Sequence, residues 1–512
     1  MHSTVWEIVS SNASARAIGA PGRAWLAGAG LGALVRDVLG TLNGAGIGRG
    51  DRVGIVLPNG PEAATGFVAT ACACTAAPLN PAYTAEEFEF YLADLRPKAV
   101  LLRDADPTPA REVAARLGLP VLGLRPETDG PAGLFRLDAA ALPPAAPAAP
   151  GPAGADDPAL VLHTSGTTAR PKIVPLTGAN LAASARHIAA SLALSPADTC
   201  LNVMPLFHIH GLVAAVLSSL HAGAAVCCTP GFNAFKFGEW LQQVRPTWYT
   251  AVPTMHQAIL MRMRANAPAA RAAGLRFIRS SSASLPPQVM AELEEVFGAP
   301  VIEAYGMTEA AHQMASNPLP PRPRKPGAVG LAAGPEVAIL DEAGAVLPRG
   351  AVGEVAIRGP NVTPGYDNNP AANAAAFTNG WFRTGDQGRF DEEGYLFLTG
   401  RLKEQINRGG EKISPLEVDV VLLDHPGVAQ AVTFAIPHAV LGEEVGAVVV
   451  PREGARLTER EVREFAASRL AAFKVPRRVV VLDDVPKGAT GKVQRIGLAR
   501  KLGLGLGGTG AG

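Results

Sequence analysis

His163-Thr-Ser-Gly-Thr-Thr-Ala-Arg-Pro-Lys172 follows directly on the apolar run Ala159-Leu-Val-Leu162. The apolar run reads as a buried strand and the next ten residues as the turn that leaves it. Ser165, Thr167 and Thr168 bring hydroxyls, Gly166 lets the backbone approach a ligand, and Arg170 and Lys172 add positive charge. Such a turn suits a polyphosphate, because backbone N–H groups and hydroxyls can wrap its oxygens. It is not a Walker A loop, since no second glycine follows Gly166 before Lys172. In isolation a Ser/Thr/Gly-rich turn is more often an ordinary surface loop, so the rest of the chain has to decide.

Working outward, strands alternate with helices. Residues 31–43, 61–75, 86–95 and 177–194 carry helical spacing, while 52–57, 99–102, 247–252 and 276–281 read as buried strands. This alternation predicts an α/β fold with a largely parallel sheet. Residues 203–211 read as a strand end and turn, and 211–228 as a buried helix running into a strand, not a membrane span. Residues 143–158, rich in Ala, Pro and Gly, read as a connector between two layered halves. From 334 to 358 the pattern shifts to short alternating strands, a β-rich and more antiparallel subdomain. Beyond 400–403, the segments 415–423, 432–436, 445–450, 458–470 and 478–482 form a compact α+β unit of ordinary small-domain size. The expected organisation is a large N-terminal domain over 1–402, a small mobile C-terminal domain over 403–502, and a Gly-rich disordered tail over 503–512.

The bulk properties exclude several classes. A chain of 512 residues with a formal charge of +1 and no basic stripe is not built for nucleic acid. Cys72, Cys74, Cys200, Cys227 and Cys228 form no C-x-x-C pair and sit mostly in apolar surroundings, as reduced core residues do. With no secretory signal and no Ser-Lys-Leu ending, the expectation is a cytoplasmic protein.

The order of further motifs is decisive. After the opening loop come Met204-Pro-Leu-Phe-His-Ile-His-Gly211, Glu303-Ala-Tyr-Gly-Met-Thr-Glu309 and Trp381-Phe-Arg-Thr-Gly-Asp386. Gly400-Arg-Leu-Lys403, Arg408-Gly-Gly-Glu-Lys-Ile-Ser-Pro415 and Pro486-Lys-Gly-Ala-Thr-Gly-Lys492 complete the series. Over residues 20–502 the series resembles the ANL superfamily of adenylate-forming enzymes: acyl-CoA synthetases, peptide-synthetase adenylation domains and firefly-type luciferases. The resemblance implies ATP, Mg²⁺ and coenzyme A as reactants or cofactors and a small carboxylic acid as substrate. An acid–thiol ligase of this kind joins the acid to the ATP α-phosphate, releases pyrophosphate, and lets the CoA thiol displace AMP.

Roles carry over position by position. Thr164, Ser165, Gly166, Thr167, Thr168 and Lys172 would hold the outer phosphates. Ser282, Ala283 and Tyr305 fall with the nucleotide, Tyr305 offering its ring to adenine. Thr308 would sit near the α-phosphate, and Glu309 would be the Mg²⁺ ligand. Asp386 suits the ribose hydroxyls and Arg401 the ribose or phosphate. Lys492 matches the catalytic lysine of the first half-reaction and Lys403 the hinge. Arg408, Gly409 and Gly410 fall on the loop that would meet CoA in the second half-reaction.

For the acid, the stretch from Tyr305 to Pro321, followed by Arg324-Lys-Pro-Gly327, resembles the oxalate–CoA ligase branch. Ala169, where most of the superfamily has glycine, points the same way. A tiny dicarboxylate needs donors or cations for its spare carboxylate. His208, His210 and His312 with Ser280, Ser281 and Ser282 supply polarity where a fatty-acid pocket would be apolar. His208, Ser281 and His312 are the expected substrate contacts, with His208 also counted among the catalytic residues. His312, three residues after Glu309, is expected to share a helical face with it. The alternatives are another small or medium acid, an adenylating enzyme loading a separate carrier protein, and an inactive scaffold, the last disfavoured by Glu309, Asp386, Arg401 and Lys492.

Overall fold

The computed structural model describes residues 2–104, 106–164, 171–486 and 493–504. Two large sheets dominate the first four hundred residues. One has seven strands in the order Phe135–Asp138, Val121–Pro126, Ala99–Arg103, Arg52–Val56, Thr75–Pro78, Pro158–His163, Ile173–Thr177. Its interior pairs are parallel and only the two edge pairs antiparallel. The other has eight strands in the order Ile18–Gly19, Ala225–Cys228, Thr199–Asn202, Trp248–Ala251, Phe277–Ser280, Val301–Met307, His312–Ser316, Leu331–Ala332. It runs parallel as far as Val301–Met307 and antiparallel beyond.

One continuous core lies between the sheets. It joins Val53 and Ile55 of the first to Val226, Trp248 and Phe277 of the second. The helices Gly28–Gly44, Pro61–Ala73 and Gly178–Ser191 contribute to it. Pro61–Ala73 is buried along almost its whole length, which its Ala63, Ala64, Gly66, Ala69, Ala71 and Ala73 permit. A fully buried helix needs small side chains all round rather than one apolar stripe. The abundance of alanine in this chain is thus a packing feature.

A five-stranded antiparallel sheet follows, containing Glu336–Leu340, Gly353–Arg358, Trp381–Phe390, Phe377–Thr378 and Leu396–Arg401. A second five-stranded sheet comprises Glu411–Ile413, Ile406–Arg408, Gly442–Pro451, Val428–His438 and Arg478–Val481. Helices Pro415–Leu423 and Glu459–Ala467 pack with it around a separate core that includes Ile406, Val418, Val445 and Val462. The chain passes from one sheet to the other between Arg401 and Ile406.

Several expectations need correction. Residues 143–157 do not connect two layered halves. They lead from Phe135–Asp138 to Pro158–His163, two strands of the same sheet, and Ala145 bridges to Ala45 on the way. The preceding strand ends at Asn202, so 203–211 holds a turn, and His210 already opens a π-helical segment, His210–Leu217. Of the tail, Leu504 packs against Val485, Leu498 and their neighbours, while 505–512 lie outside the described residues. Among the described residues no helix is long and apolar enough to cross a membrane. All five cysteines are buried free thiols, and burial raises the pKa of each.

Candidate active site

The opening loop is tied at its base. Thr164 N–H donates to the Lys172 carbonyl at 2.8 Å, and Lys172 N–H donates to Thr164 Oγ1 at 3.1 Å. This pair closes the end of the antiparallel ladder between Pro158–His163 and Ile173–Thr177. Ser165, Gly166, Thr167, Thr168, Ala169 and Arg170 lie outside the described residues, as does Lys492.

Lys172 leads to the centre of the site. Its Nζ stands 4.2 Å from the centre of the Tyr366 ring, a cation–π contact, and the Tyr366 hydroxyl donates to Glu309 Oε1 at 2.9 Å. Burial lowers the Lys172 pKa, Glu309 opposes that, and the charge of Lys403 adds to it. The charge of the hinge candidate Lys403 is thus felt at Lys172. Glu309 is buried, and burial raises its pKa despite the Tyr366 hydroxyl and the charges of Arg401 and Lys172. A carboxylate held in that way favours a cation brought to it. Tyr366 was not singled out in the sequence, because it belongs to none of the motifs and meets Glu309 only through the fold.

A second group adjoins the first. The Tyr305 hydroxyl donates to Asp386 Oδ2, and Arg401 Nε lies 3.1 Å from Asp386 Oδ1. Asp386 and Arg401 face each other as register partners of the antiparallel sheet. Asp386 raises the Arg401 pKa, and burial keeps Tyr305 neutral. Thr308 and Glu309 occupy a single 3₁₀ turn, Thr308–Ala310, between two strands.

The same turn overturns one expectation. His312 does not share a helical face with Glu309. Ala311 is left-handed (φ 46°), His312 follows with φ 105°, and the chain turns back as the strand His312–Ser316. This hairpin requires Gly306, because a Cβ there would stand 2.0 Å from the His312 carbonyl oxygen. His312 instead packs its ring 5.0 Å from that of His210. His210 Nδ1 is 3.0 Å from Ser282 Oγ, and Ser282 also has positive φ, at 75°. Three non-glycine residues in this rare region, Ala311, His312 and Ser282, gathered about His210, mark a backbone held in place by its surroundings. Ser281 turns its hydroxyl onto the Ala304 carbonyl at 2.8 Å, which ties the expected substrate contact into the strand behind. His208 is half-buried with its ring 4.5 Å from Phe207, and Ala283 is exposed.

Arg408, Gly409 and Gly410 keep to the small domain. Arg408 Nε pairs with Glu444 at 2.6 Å, and Gly409 (φ 61°) and Gly410 (φ 99°) form the tip of the hairpin between Ile406–Arg408 and Glu411–Ile413. Among the described residues no hydrogen bond joins them to the Glu309 group. Arg495, the third residue after Lys492 in sequence, is tied down on three sides. Its guanidinium meets Asp419 at 2.6 Å, the Thr433 carbonyl at 2.8 Å, and Glu404, one residue past the hinge candidate, at 3.6 Å.

Glu303, beneath Tyr305 on the same strand, accepts one hydrogen bond from Leu285 N–H at 2.8 Å, and burial pushes its pKa up to about 8. A raised carboxyl pKa means that the folded state holds its proton more tightly than the unfolded chain. Its contribution to stability is full below the unfolded pKa near 4.5 and is lost as pH rises towards 8. Glu303→Gln should flatten the melting temperature between pH 5 and 8.5; an unchanged slope would show that Glu303 is not the group responsible.

The chain is similar to known proteins. Residues 8–367 match the AMP-binding enzyme family and residues 417–492 the AMP-binding enzyme C-terminal domain. An oxalate–CoA ligase of Arabidopsis thaliana is 52% identical over 456 residues, 88% of each chain. One of Saccharomyces cerevisiae is 44% identical over 470 residues, 87% of this chain and 86% of the other. The solved structure of ATP-bound MatB from Rhodopseudomonas palustris, 32% identical, superposes with a TM-score of 0.87 over 98% of this chain and 99% of that one. The chain belongs to the AMP-binding enzyme family. Within it, the protein is an AMP-forming acyl-CoA ligase that uses ATP and CoA.

Proposed function

We propose that this ligase takes oxalate as its acid, forming oxalyl-adenylate and then oxalyl-CoA. The observation that carries the reading is the polar cluster of His210, Ser282 and His312 (His312 three residues along the chain from Glu309), where a fatty-acid enzyme would present apolar side chains. The two oxalate–CoA ligases support the same acid.

In the first half-reaction one oxalate oxygen attacks the α-phosphorus and pyrophosphate leaves. Thr164 to Lys172 hold the departing phosphates, Asp386 and Arg401 hold the ribose, Tyr305 and Ala283 flank the base, and Thr308 stands at the α-phosphate. Glu309 would hold Mg²⁺. Its buried carboxylate would supply the oxygen ligand that a hard dication favours. The metal, when bound, neutralises phosphate charge. Lys492, carried on the domain that starts at 403, steadies the charge that moves from carboxylate to phosphate. A rotation about Lys403 then brings Arg408, Gly409 and Gly410 to the CoA arm, and the thiol displaces AMP.

His210, Ser282 and His312, with His208, form the acid end; the Ser281 hydroxyl is committed to the Ala304 carbonyl. His312→Ala should raise the oxalate KM by about tenfold or more, the cost of a charge-assisted hydrogen bond, with the ATP KM little changed. An unchanged oxalate KM would remove His312 from the pocket. In a panel of oxalate, malonate, acetate, medium-chain fatty acids and coumarate, thioester should form best with oxalate. AMP release without thioester would point instead to a carrier-protein thiol as acceptor.

A further inference from the structure

Arg279 is the one arginine or lysine that is fully buried among the described residues, at 0% exposure. It sits in the strand Phe277–Ser280, where side chains alternate between faces. Phe277 belongs to the core between the two large sheets and Ile278 to the core on the opposite side, so Arg279 points into the inter-sheet core. Its register partner Thr250 lies on the same face. There the guanidinium faces an imidazole and a carboxamide. One amino group is 3.4 Å from His210 Nε2, the other is 3.3 Å from Gln313 Oε1, and Nε has no hydrogen-bond partner. No carboxylate pairs with it among the described residues. Burial lowers its pKa to about 9, which still leaves it charged at neutral pH. A buried cation with no counter-charge is costly, and a folded chain retains one only where something offsets it.

We propose that Arg279 is a positioning and specificity-determining residue of the acid pocket, the standing positive charge whose counter-ion is the second carboxylate of a bound dicarboxylate. The inference rests on the oxalate reading and deepens it. Guanidinium nitrogens only donate, so the His210 Nε2 facing them must present its lone pair. Thr250, whose Oγ1 is 2.6 Å from the same nitrogen, then donates to it as well. The imidazole is left neutral, with its proton on Nδ1 and directed at Ser282 Oγ. Ser282 accepts that bond and keeps its own O–H for a ligand. Arg279 thereby fixes the orientation of His210 and Ser282. It also sets a positive potential one layer behind them, strengthened by the low dielectric of the core. When one oxalate carboxylate is committed to the α-phosphate, the other stays ionised. The neutral His210 cannot compensate that charge; the guanidinium behind it can.

The test compares oxalate with oxamate, in which a neutral carboxamide replaces the second carboxylate at nearly the same size. In the wild-type enzyme kcat/KM should favour oxalate over oxamate by roughly a hundredfold, the scale of one buried charge contact. Arg279→Gln keeps donors and removes the charge. It should raise the oxalate KM, leave the ATP KM unchanged, and cut the preference at least tenfold, while Arg279→Lys restores most of it. Equal losses for both acids in Arg279→Gln, or a preserved preference, would overturn the assignment and leave oxalate standing as substrate. If Arg279→Gln does not fold, wild-type discrimination decides: equal use of oxalate and oxamate overturns the assignment without any variant. No AMP from oxalate in the wild type would overturn both readings together.

Discussion

Lys492→Ala is expected to lose about three orders of magnitude in oxalate-dependent pyrophosphate–ATP exchange, the scale of removing one pre-placed donor at a developing charge. Thioester formation from synthetic oxalyl-adenylate and CoA should fall far less. The difference follows from when charge moves. During adenylation negative charge passes from the carboxylate to the phosphate and pyrophosphate, and an ammonium between them gains more in the transition state than before it. During thioester formation the phosphate gains its charge as the acyl–oxygen bond breaks, and the rotation proposed about Lys403 has by then exchanged Lys492 for Arg408, Gly409 and Gly410. Arg495, three residues further along the chain, meets Asp419 and Thr433 and reaches Glu404 beside the hinge candidate. Equal loss in both half-reactions would contradict the division of labour.

Glu309→Gln is the second large effect, an expected drop of about two to three orders of magnitude in adenylation with a raised Mg²⁺ requirement. The amide can still accept from Tyr366, so the turn Thr308–Ala310 keeps its anchor and the melting temperature should change little. What goes is the only charge of that side chain, next to Lys172 and Arg401, whose fields both favour its ionised form. The variant would therefore separate charge from shape. An unchanged rate and unchanged Mg²⁺ dependence would remove Glu309 from the metal role.

Much of this was legible in the chain itself, for a definable reason. Strands such as Arg52–Val56 and Phe277–Ser280 are short runs with local apolar patterns, and helices such as Gly178–Ser191 open on a local cap, Thr177. Motif residues that act within one turn, such as Thr308 with Glu309, stay together whatever the fold. Contacts made across the fold left no such trace. Tyr366 reaches Glu309 over 57 residues of chain and Arg279 reaches His210 over 69. His312 misled because spacing of three suggests a helical face, whereas the left-handed Ala311 reverses the chain into a hairpin. Residues 143–157 misled because an Ala/Pro/Gly-rich composition resembles a linker, while here it leads from one edge strand of a single sheet to the next-to-last strand at its other side.

The chemistry can be followed by one labelled atom. With [¹⁸O]oxalate, ATP, Mg²⁺ and CoA, the attacking carboxylate oxygen bonds to the α-phosphorus. It stays there when the thiol displaces AMP from the acyl carbon. One ¹⁸O per turnover should therefore appear in AMP, none in pyrophosphate, and oxalyl-CoA should accumulate in equal amount. Unlabelled AMP, or ADP in place of AMP, would contradict adenylation of oxalate by this enzyme.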